Sequence, residues 1–433
     1  MGVNAMDDDK RQGLELKNKM NIPTEAFSSK VCFIGDDYNI PLTQDVLSKH
    51  ILFSGSIGSG KTTAINGVIK TIVSAMTRDD VMVVFDAKGD FKKEFYRPGI
   101  DQILSCTGDS TTIWNIFKEI ELDGPANVEL NLMELVNSFF DEKIRRSHSP
   151  FFPMAAKDVL YGIMMYILRK TSIVDRTNEE LYLYLRDASL EDVINSFSEM
   201  DDLRGLLDYI YSESGTTEQS QGVYSELRTV ANELLIGNFK KTGDFSIRSF
   251  VRNKGGRILF VEYDLGIGSV LTPVYKALFD LAIKETLSRK HTNGNVFFVI
   301  DEFSLLPHLY HISDGVNFGR SLGAKFIVAI QNCQQIIEAY GRQNAYSILS
   351  AFGTVISFRN TDLSTIEFIQ NHYGTARTRI SYSNRDYRSG GSDILVTGKV
   401  IEDWEILSLN RGEAIISIAD YSPCPVKYKF KKV

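Results

Sequence analysis

The segment Gly55-Ser56-Ile57-Gly58-Ser59-Gly60-Lys61-Thr62 has the spacing G-x-x-x-x-G-K-[ST], follows the apolar run Ile51-Leu52-Phe53, and opens a helix-period stretch over 63–76. This combination fixes local structure tightly. A buried strand ends, the chain turns through glycines, and a helix begins, so backbone N–H groups and a helix N-terminus converge on one point. Such a point suits phosphate oxygens, with Lys61 reaching the β- and γ-phosphates and the Thr62 hydroxyl able to ligate Mg2+. Gly55, Ser56, Ile57, Gly58, Ser59, Gly60, Lys61, Thr62 and Thr63 are the candidate nucleotide-binding residues, and ATP with Mg2+ are the expected cofactors. A Gly/Ser loop without function is the alternative, and the strand and helix on either side weigh against it.

The rest of the chain supplies a matching scaffold. Short, nearly continuous apolar runs at 51–53, 81–85, 257–261, 296–300, 326–330, 355–358 and 414–418 alternate with helical stretches, the pattern of a parallel sheet covered on both faces. Between about 127 and 237 that rhythm gives way to helix-period segments at 131–146, 155–169, 190–197 and 224–235. The expected fold is α/β, with a mostly parallel central sheet, an inserted all-α domain over 127–237, a nucleotide-binding domain over 31–126 and 238–433, and an N-terminal arm over 1–30. Charge separates these parts: residues 121–250 carry 13 Lys and Arg against 22 Asp and Glu, and the remainder carries 35 against 33. The insertion is the acidic part.

A second chemical element ends the run Val296-Phe297-Phe298-Val299-Ile300 in Asp301-Glu302. Beside a phosphate loop, Asp301 is the candidate ligand of the magnesium water shell and Glu302 the candidate general base that polarises the attacking water. The run 81–85 likewise ends in Asp86-Ala87-Lys88-Gly89-Asp90, at the edge where open α/β sheets bind ligands; a solvated turn is the other reading.

Bulk properties exclude several classes. A formal charge of −7 argues against a protein that coats duplex DNA, without excluding a ring with a basic pore. Cys32, Cys106, Cys333 and Cys424 lie far apart with no C-x-x-C spacing, so neither a zinc site nor a disulfide framework is indicated. The start is polar (Asp7, Asp8, Asp9, Lys10), and no apolar run of about 18 residues is evident, so the expectation is a chain without signal peptide or spanning helix, cytoplasmic, or peripheral at the inner face of the membrane through a partner.

Taken together the segments resemble the type IV coupling proteins, the TraD/TraG-like branch of the FtsK/HerA superfamily of P-loop motors. The likeness extends past the phosphate loop. It includes the D-x-[KN]-G-[DE] element at Asp86 to Asp90, the stretch Trp114-Asn115-Ile116-Phe117 before an all-α region, and Gly319-Arg320-Ser321-Leu322-Gly323-Ala324 leading into a strand that ends in Gln331-Asn332. A short helix ending in Tyr340-Gly341, then Gly353-Thr354-Val355, Asn360-Thr361-Asp362 and Leu409-Asn410-Arg411-Gly412-Glu413-Ala414 continue it. The resemblance covers about residues 45–433.

It implies a RecA-like fold and an ATP-driven DNA translocase, hexameric when active and able to exist as a monomer in isolation, that feeds DNA or a nucleoprotein into a conjugative secretion apparatus. It also implies that Arg320 acts as an arginine finger between subunits and that Gln331 senses the γ-phosphate or positions water. DNA, a relaxase or relaxosome, and secretion-channel proteins are the implied partners. The family's two N-terminal membrane helices are not seen, and whether they are naturally missing or trimmed away is open. Arg377, Arg379, Tyr382, Arg385, Tyr387 and Arg388 interleave guanidinium groups with aromatics, a composition that fits DNA contact or a solvated loop. The tail Lys427, Lys429, Lys431 and Lys432 is a weaker candidate for DNA contact, and its alternation fits one solvent face of an edge strand. Two other functions fit the same residues: a HerA- or FtsK-like DNA pump outside conjugation, and an ATP-dependent adaptor that recruits protein cargo through the acidic insertion.

Overall fold

The computed structural model describes residues 11–212, 215–288, 293–382 and 392–432. The polar start at Asp7, Asp8, Asp9 and Lys10 therefore lies outside the described residues, as do Arg385, Tyr387 and Arg388. The principal strands are β1 (Ile51–Ser54), β2 (Val81–Asp86), β3 (Gln102–Leu104), β4 (Arg257–Glu262), β5 (Val296–Ile300), β6 (Ala324–Ile330), β7 (Thr354–Phe358), β8 (Glu413–Ile418) and β9 (Ser422–Lys429). The helices used below are α1 (Lys61–Ala75), α2 (Val128–Arg146), α3 (Phe151–Lys170), α4 (Leu190–Ser198), α5 (Glu218–Leu234) and α6 (Thr272–Leu287). The chain divides into two compact units: Met1–Met76, Phe297–Pro307 and Val316–Val433 form the first, and Thr77–Val296 with His308–Gly315 the second.

In the first unit the strand order is β9-β8-β7-β1-β6-β5. β1 runs parallel to both β7 and β6, whereas β8 is antiparallel to β7 and to β9. Every residue of β1, β5, β6 and β7 is buried, which explains why these strands read as unbroken apolar runs rather than alternations. Edge strand β9 does alternate, with Lys427 and Lys429 exposed. Arg11–Gln12 pairs with the strand Thr375–Tyr382, which forms an antiparallel hairpin with Ser392–Lys399. Further along the N-terminal segment, Lys17 exchanges backbone hydrogen bonds with Pro425 and Lys427.

In the second unit β2, β4 and β3 are parallel neighbours in that order, so the sheet is mostly parallel, in keeping with an α/β fold. Between 125 and 240 the described residues form helices and 3-10 turns and no strand. The Trp114-Asn115-Ile116-Phe117 stretch ties the two ends of this helical segment together. Asn115 caps the following helix and its amide donates to the carbonyls of Arg176 and Gly243, at 3.0 and 2.8 Å. Asn178 answers by donating to the carbonyls of Trp114 and Phe239. Trp114 Nε1 donates to the buried Glu119, which also accepts from the Ser246 hydroxyl and the Ile247 amide. These polar groups are buried because each has a partner.

Helix α3 is long and apolar enough to cross a membrane by length and composition, yet most of it is buried inside the protein. Ala156, Val159, Ile163 and Met164 are its inward stripe, and it packs against α2, α4 and α5. Its apolar character is that of a core helix.

His50, just before β1, adopts a left-handed backbone (φ 63°) and is 1% exposed. Its Nδ1 accepts from the Phe326 amide at 3.2 Å, so Nε2 carries the hydrogen and donates to the Val316 carbonyl at 3.1 Å. Burial pushes its pKa down to about 4. The unfolded chain therefore binds a proton at His50 that the folded chain does not, so stability is full above the unfolded pKa of about 6.5 and is lost as pH falls toward 4. We expect this group to remove about 2 kcal/mol of unfolding free energy between about pH 7 and about pH 5. Urea denaturation at both pH values checks this; His50→Asn, which tolerates the left-handed backbone, should lack that component.

Candidate nucleotide site

The loop after β1 takes its shape from three glycines. Gly58 and Gly60 have φ of 75° and 113°, a region that a side chain strains, whereas Gly55 is required by space: a Cβ there would lie 2.7 Å from the Phe358 Cβ. At Gly60 space adds to strain, because a Cβ would lie 2.9 Å from the Gly412 backbone nitrogen. The loop is anchored by backbone bonds from Gly55 N to Ile330 O, Ser56 N to Arg359 O and Gly412 N to Ser59 O, at 3.3, 2.9 and 2.9 Å. The loop is thus held by the ends of β6 and β7 and by the turn before β8.

Of the loop side chains, Ile57 is 80% exposed, Ser59 and Lys61 are buried, and Thr62 and Thr63 at the start of α1 are half-buried. Lys61 Nζ donates to the carbonyls of Gly55 and Ser56, which arches its ammonium over the loop. Buried Ser59 Oγ has no hydrogen-bond partner among the described residues, a polar atom facing a glycine-lined turn. A turn with no room for a Cβ at Gly55 or Gly60, backbone N–H groups at the first turn of a 15-residue helix and a lysine over its mouth fit a polyphosphate. Thr62 and Asp301 are the hard oxygen donors that suit Mg2+, which takes few protein ligands when phosphates supply others.

Asp301 and Glu302 follow β5, and Gln331 follows β6, the strand between β5 and β1. Asp301 is 5% exposed. The Gln331 amide donates to Glu302 Oε2, and the Ser304 hydroxyl donates to Oε1 at 2.7 Å. Asn360, 1% exposed after β7, donates to the Gln331 carbonyl at 2.9 Å. The carboxyl ends of β7, β6 and β5 are thereby joined by side chains in a row alongside the loop. The roles of Ser304 and Asn360 were not read from the sequence; the Asn360-Thr361-Asp362 stretch stood out only as part of a family pattern.

Arg320 lies apart from this row. It sits on the turn Gly319–Leu322, four residues before β6 begins, is half exposed, and is ion-paired with Asp45 in the helix that precedes β1. Since β1 and β6 are parallel, Arg320 is at the amino edge of the sheet and the loop at the carboxyl edge, about 20 Å apart across a seven-residue strand. Of the candidate DNA-contact residues, Arg377 is exposed, and Arg379 and Tyr382 lie on the strand Thr375–Tyr382.

A sequence model of the type IV secretion-system coupling protein DNA-binding domain matches residues 38–427. The chain belongs to this family. It is 24% identical over 426 residues to the coupling protein TraD of Escherichia coli (strain K12), an alignment covering 92% of this chain and 54% of TraD. With the conjugal transfer protein TraG of Agrobacterium fabrum (strain C58 / ATCC 33970) it shares 24% identity over 218 residues, 48% of this chain and 33% of TraG. The chain thus spans about half the length of TraD. Among solved structures, the bacterial conjugative coupling protein TrwBdeltaN70 in its unbound monoclinic form superposes with a TM-score of 0.75 at 20% identity, covering 98% of this chain and 96% of that one. TrwB in complex with ADP and Mg2+ gives 0.69 at 22% identity, covering 91% and 87%. These similarities show the fold.

Replacing Gly60 by alanine combines backbone strain with a clash against Gly412, and is expected to cost about 1–3 kcal/mol. Gly58→Ala, with nothing within 4 Å of its Cβ, meets strain alone and should cost less. Chemical denaturation of the two variants checks the order.

Proposed function

We propose that this chain is the motor portion of a conjugative coupling protein, an Mg-dependent ATPase that drives DNA or a nucleoprotein into a type IV secretion apparatus. The reading rests on family membership and above all on one arrangement: the glycine-shaped loop, Asp301, Glu302 and Gln331 share the carboxyl edge of the sheet, while Arg320 stands at the opposite edge.

In this reading the loop amides and Lys61 bind the phosphates, and Thr62 and Asp301 hold the metal. Mg2+ supplies charge neutralisation at the phosphates. Glu302 orients and deprotonates the attacking water, and Gln331 sets the direction of its carboxylate. Arg320 is too far from its own loop to stabilise transition-state charge there, so it serves the loop of a neighbouring subunit. Turnover then requires a homo-oligomer, which we take to be a ring of six, with DNA in its pore. TrwB, whose fold this chain shares, was captured with ADP and Mg2+ and with a non-hydrolysable ATP analogue. We assign the working protein to the cytoplasmic side of the membrane, with a relaxosome and the secretion channel as partners.

Steady-state ATPase assays with and without single- and double-stranded DNA test this. The expected result is DNA-stimulated hydrolysis that Lys61→Ala removes and that Glu302→Gln lowers in kcat by about 100-fold or more. Hydrolysis indifferent to either form of DNA would favour the protein-cargo adaptor. Normal hydrolysis by Lys61→Ala would overturn the site assignment.

A further inference from the structure

The second unit contains a cavity of about 470 Å³ that no part of the proposed ATPase cycle uses. Its walls are one face of α2, one face of α6 and the short segment His308–Gly315. Leu130, Met133 and Ile144 line it from α2 and Tyr310 from the segment, and of these Leu130, Met133 and Tyr310 are exposed apolar side chains at 63%, 49% and 46%. Large apolar side chains open to solvent beside a cavity mark a binding surface.

Two side chains that line this groove, Asp280 and Ser138, each carry one buried polar atom without a hydrogen-bond partner among the described residues. Asp280 is 5% exposed, and its Oδ1 accepts from the His311 amide at 3.0 Å. Its Oδ2 is buried and has no hydrogen-bond partner among the described residues, and the same holds for Ser138 Oγ. An unpaired buried carboxylate oxygen costs folding stability, so a site that retains one trades stability for another use. Burial pushes Asp280 up to about 6, which still leaves it ionised at neutral pH. The other carboxylates in the lining are already engaged: Glu134 by His311 and Lys284, Asp141 by Arg145 and Lys276. Asp280 is therefore the acceptor left for a ligand.

We propose that this groove docks a basic amphipathic helix of a protein partner, which lays apolar side chains on Leu130, Met133 and Ile144 and reaches Asp280 with a Lys or Arg. From Leu130 to Ile144 the groove follows α2 for about 20 Å, room for about four helical turns. Nucleic acid is disfavoured because residues 121–250 carry 22 acidic against 13 basic side chains. That same charge steers a basic protein segment toward the site.

The test uses a fluorescein-labelled peptide of about 16 residues, with leucine along one helical face and arginine flanking it, titrated by fluorescence anisotropy against the full chain without nucleotide. Asp280→Asn is expected to weaken binding about tenfold, and Leu130→Ser with Met133→Ser by a similar factor. Asp201→Asn, which removes a carboxylate 90% exposed elsewhere in the helical segment, should leave binding unchanged. Asp280→Asn should melt at or above the wild-type temperature, so that weaker binding is not unfolding. Equal affinity across all these chains would overturn the proposal, because only diffuse attraction to an acidic surface would be at work. Self-association of the wild type in gel filtration that Leu130→Ser with Met133→Ser abolishes would also overturn it, by assigning the groove to a second copy. No nucleotide enters the measurement, so either result leaves the ATPase reading intact.

Discussion

The first unit depends on the approach of two backbones, at Gly60 and Gly412. The phosphate loop turns through a positive φ where a side chain would strike the turn before β8, and the bond from Gly412 N to Ser59 O fastens the two together. Because that turn leads directly into β8, and the loop follows β1, the contact ties together the ends of two strands that β7 separates, as well as shaping the cradle. The bonds from Gly55 to Ile330 and from Ser56 to Arg359 extend the anchoring to the ends of β6 and β7. A loop held on three sides keeps its amides aimed without reorganising, which is what electrostatic stabilisation of a charged ligand requires.

Parallel pairing then decides where the other groups stand. Gln331, Glu302 and Asn360 all follow strand ends on the loop side, and their hydrogen bonds make one row. The same pairing puts Arg320 at the start of β6, out of reach of the loop it would have to serve. Its ion pair with Asp45 is exposed on both sides and so contributes little to stability. An arginine that can leave such a pair cheaply is well suited to act on another subunit.

Much of this was legible in the sequence, for physical reasons. The seven apolar runs at the strand positions are the mark of strands buried on both faces, and the structure extends most of them by only one or two residues. The loop was legible because its glycines, lysine and threonine each answer a separate physical demand. Other parts left no such mark. The three-residue strand β3 is too short to show a period. The hairpin Thr375–Tyr382 with Ser392–Lys399 has Arg377 and Arg379 on one strand, so it read as a basic loop. Gly412 could not be matched to Gly60 because nothing local links positions so far apart in the chain. Asp280 stands between Lys276 and Lys284 on one face of α6, where it read as part of an ordinary charged helix face, and its surroundings come from a helix and a segment distant in sequence.

In the proposed motor one catalytic site is shared between two subunits, and mixing two inactive variants tests that sharing. Glu302→Gln keeps its finger and Arg320→Ala keeps its general base, so interfaces that pair the intact halves are complete. Equal mixing followed by reassembly on DNA should restore about a quarter of the interfaces and measurable ATPase activity. If the mixture stays as inactive as either variant alone, Arg320 does not act across a subunit boundary and the protein does not turn over ATP at a shared site.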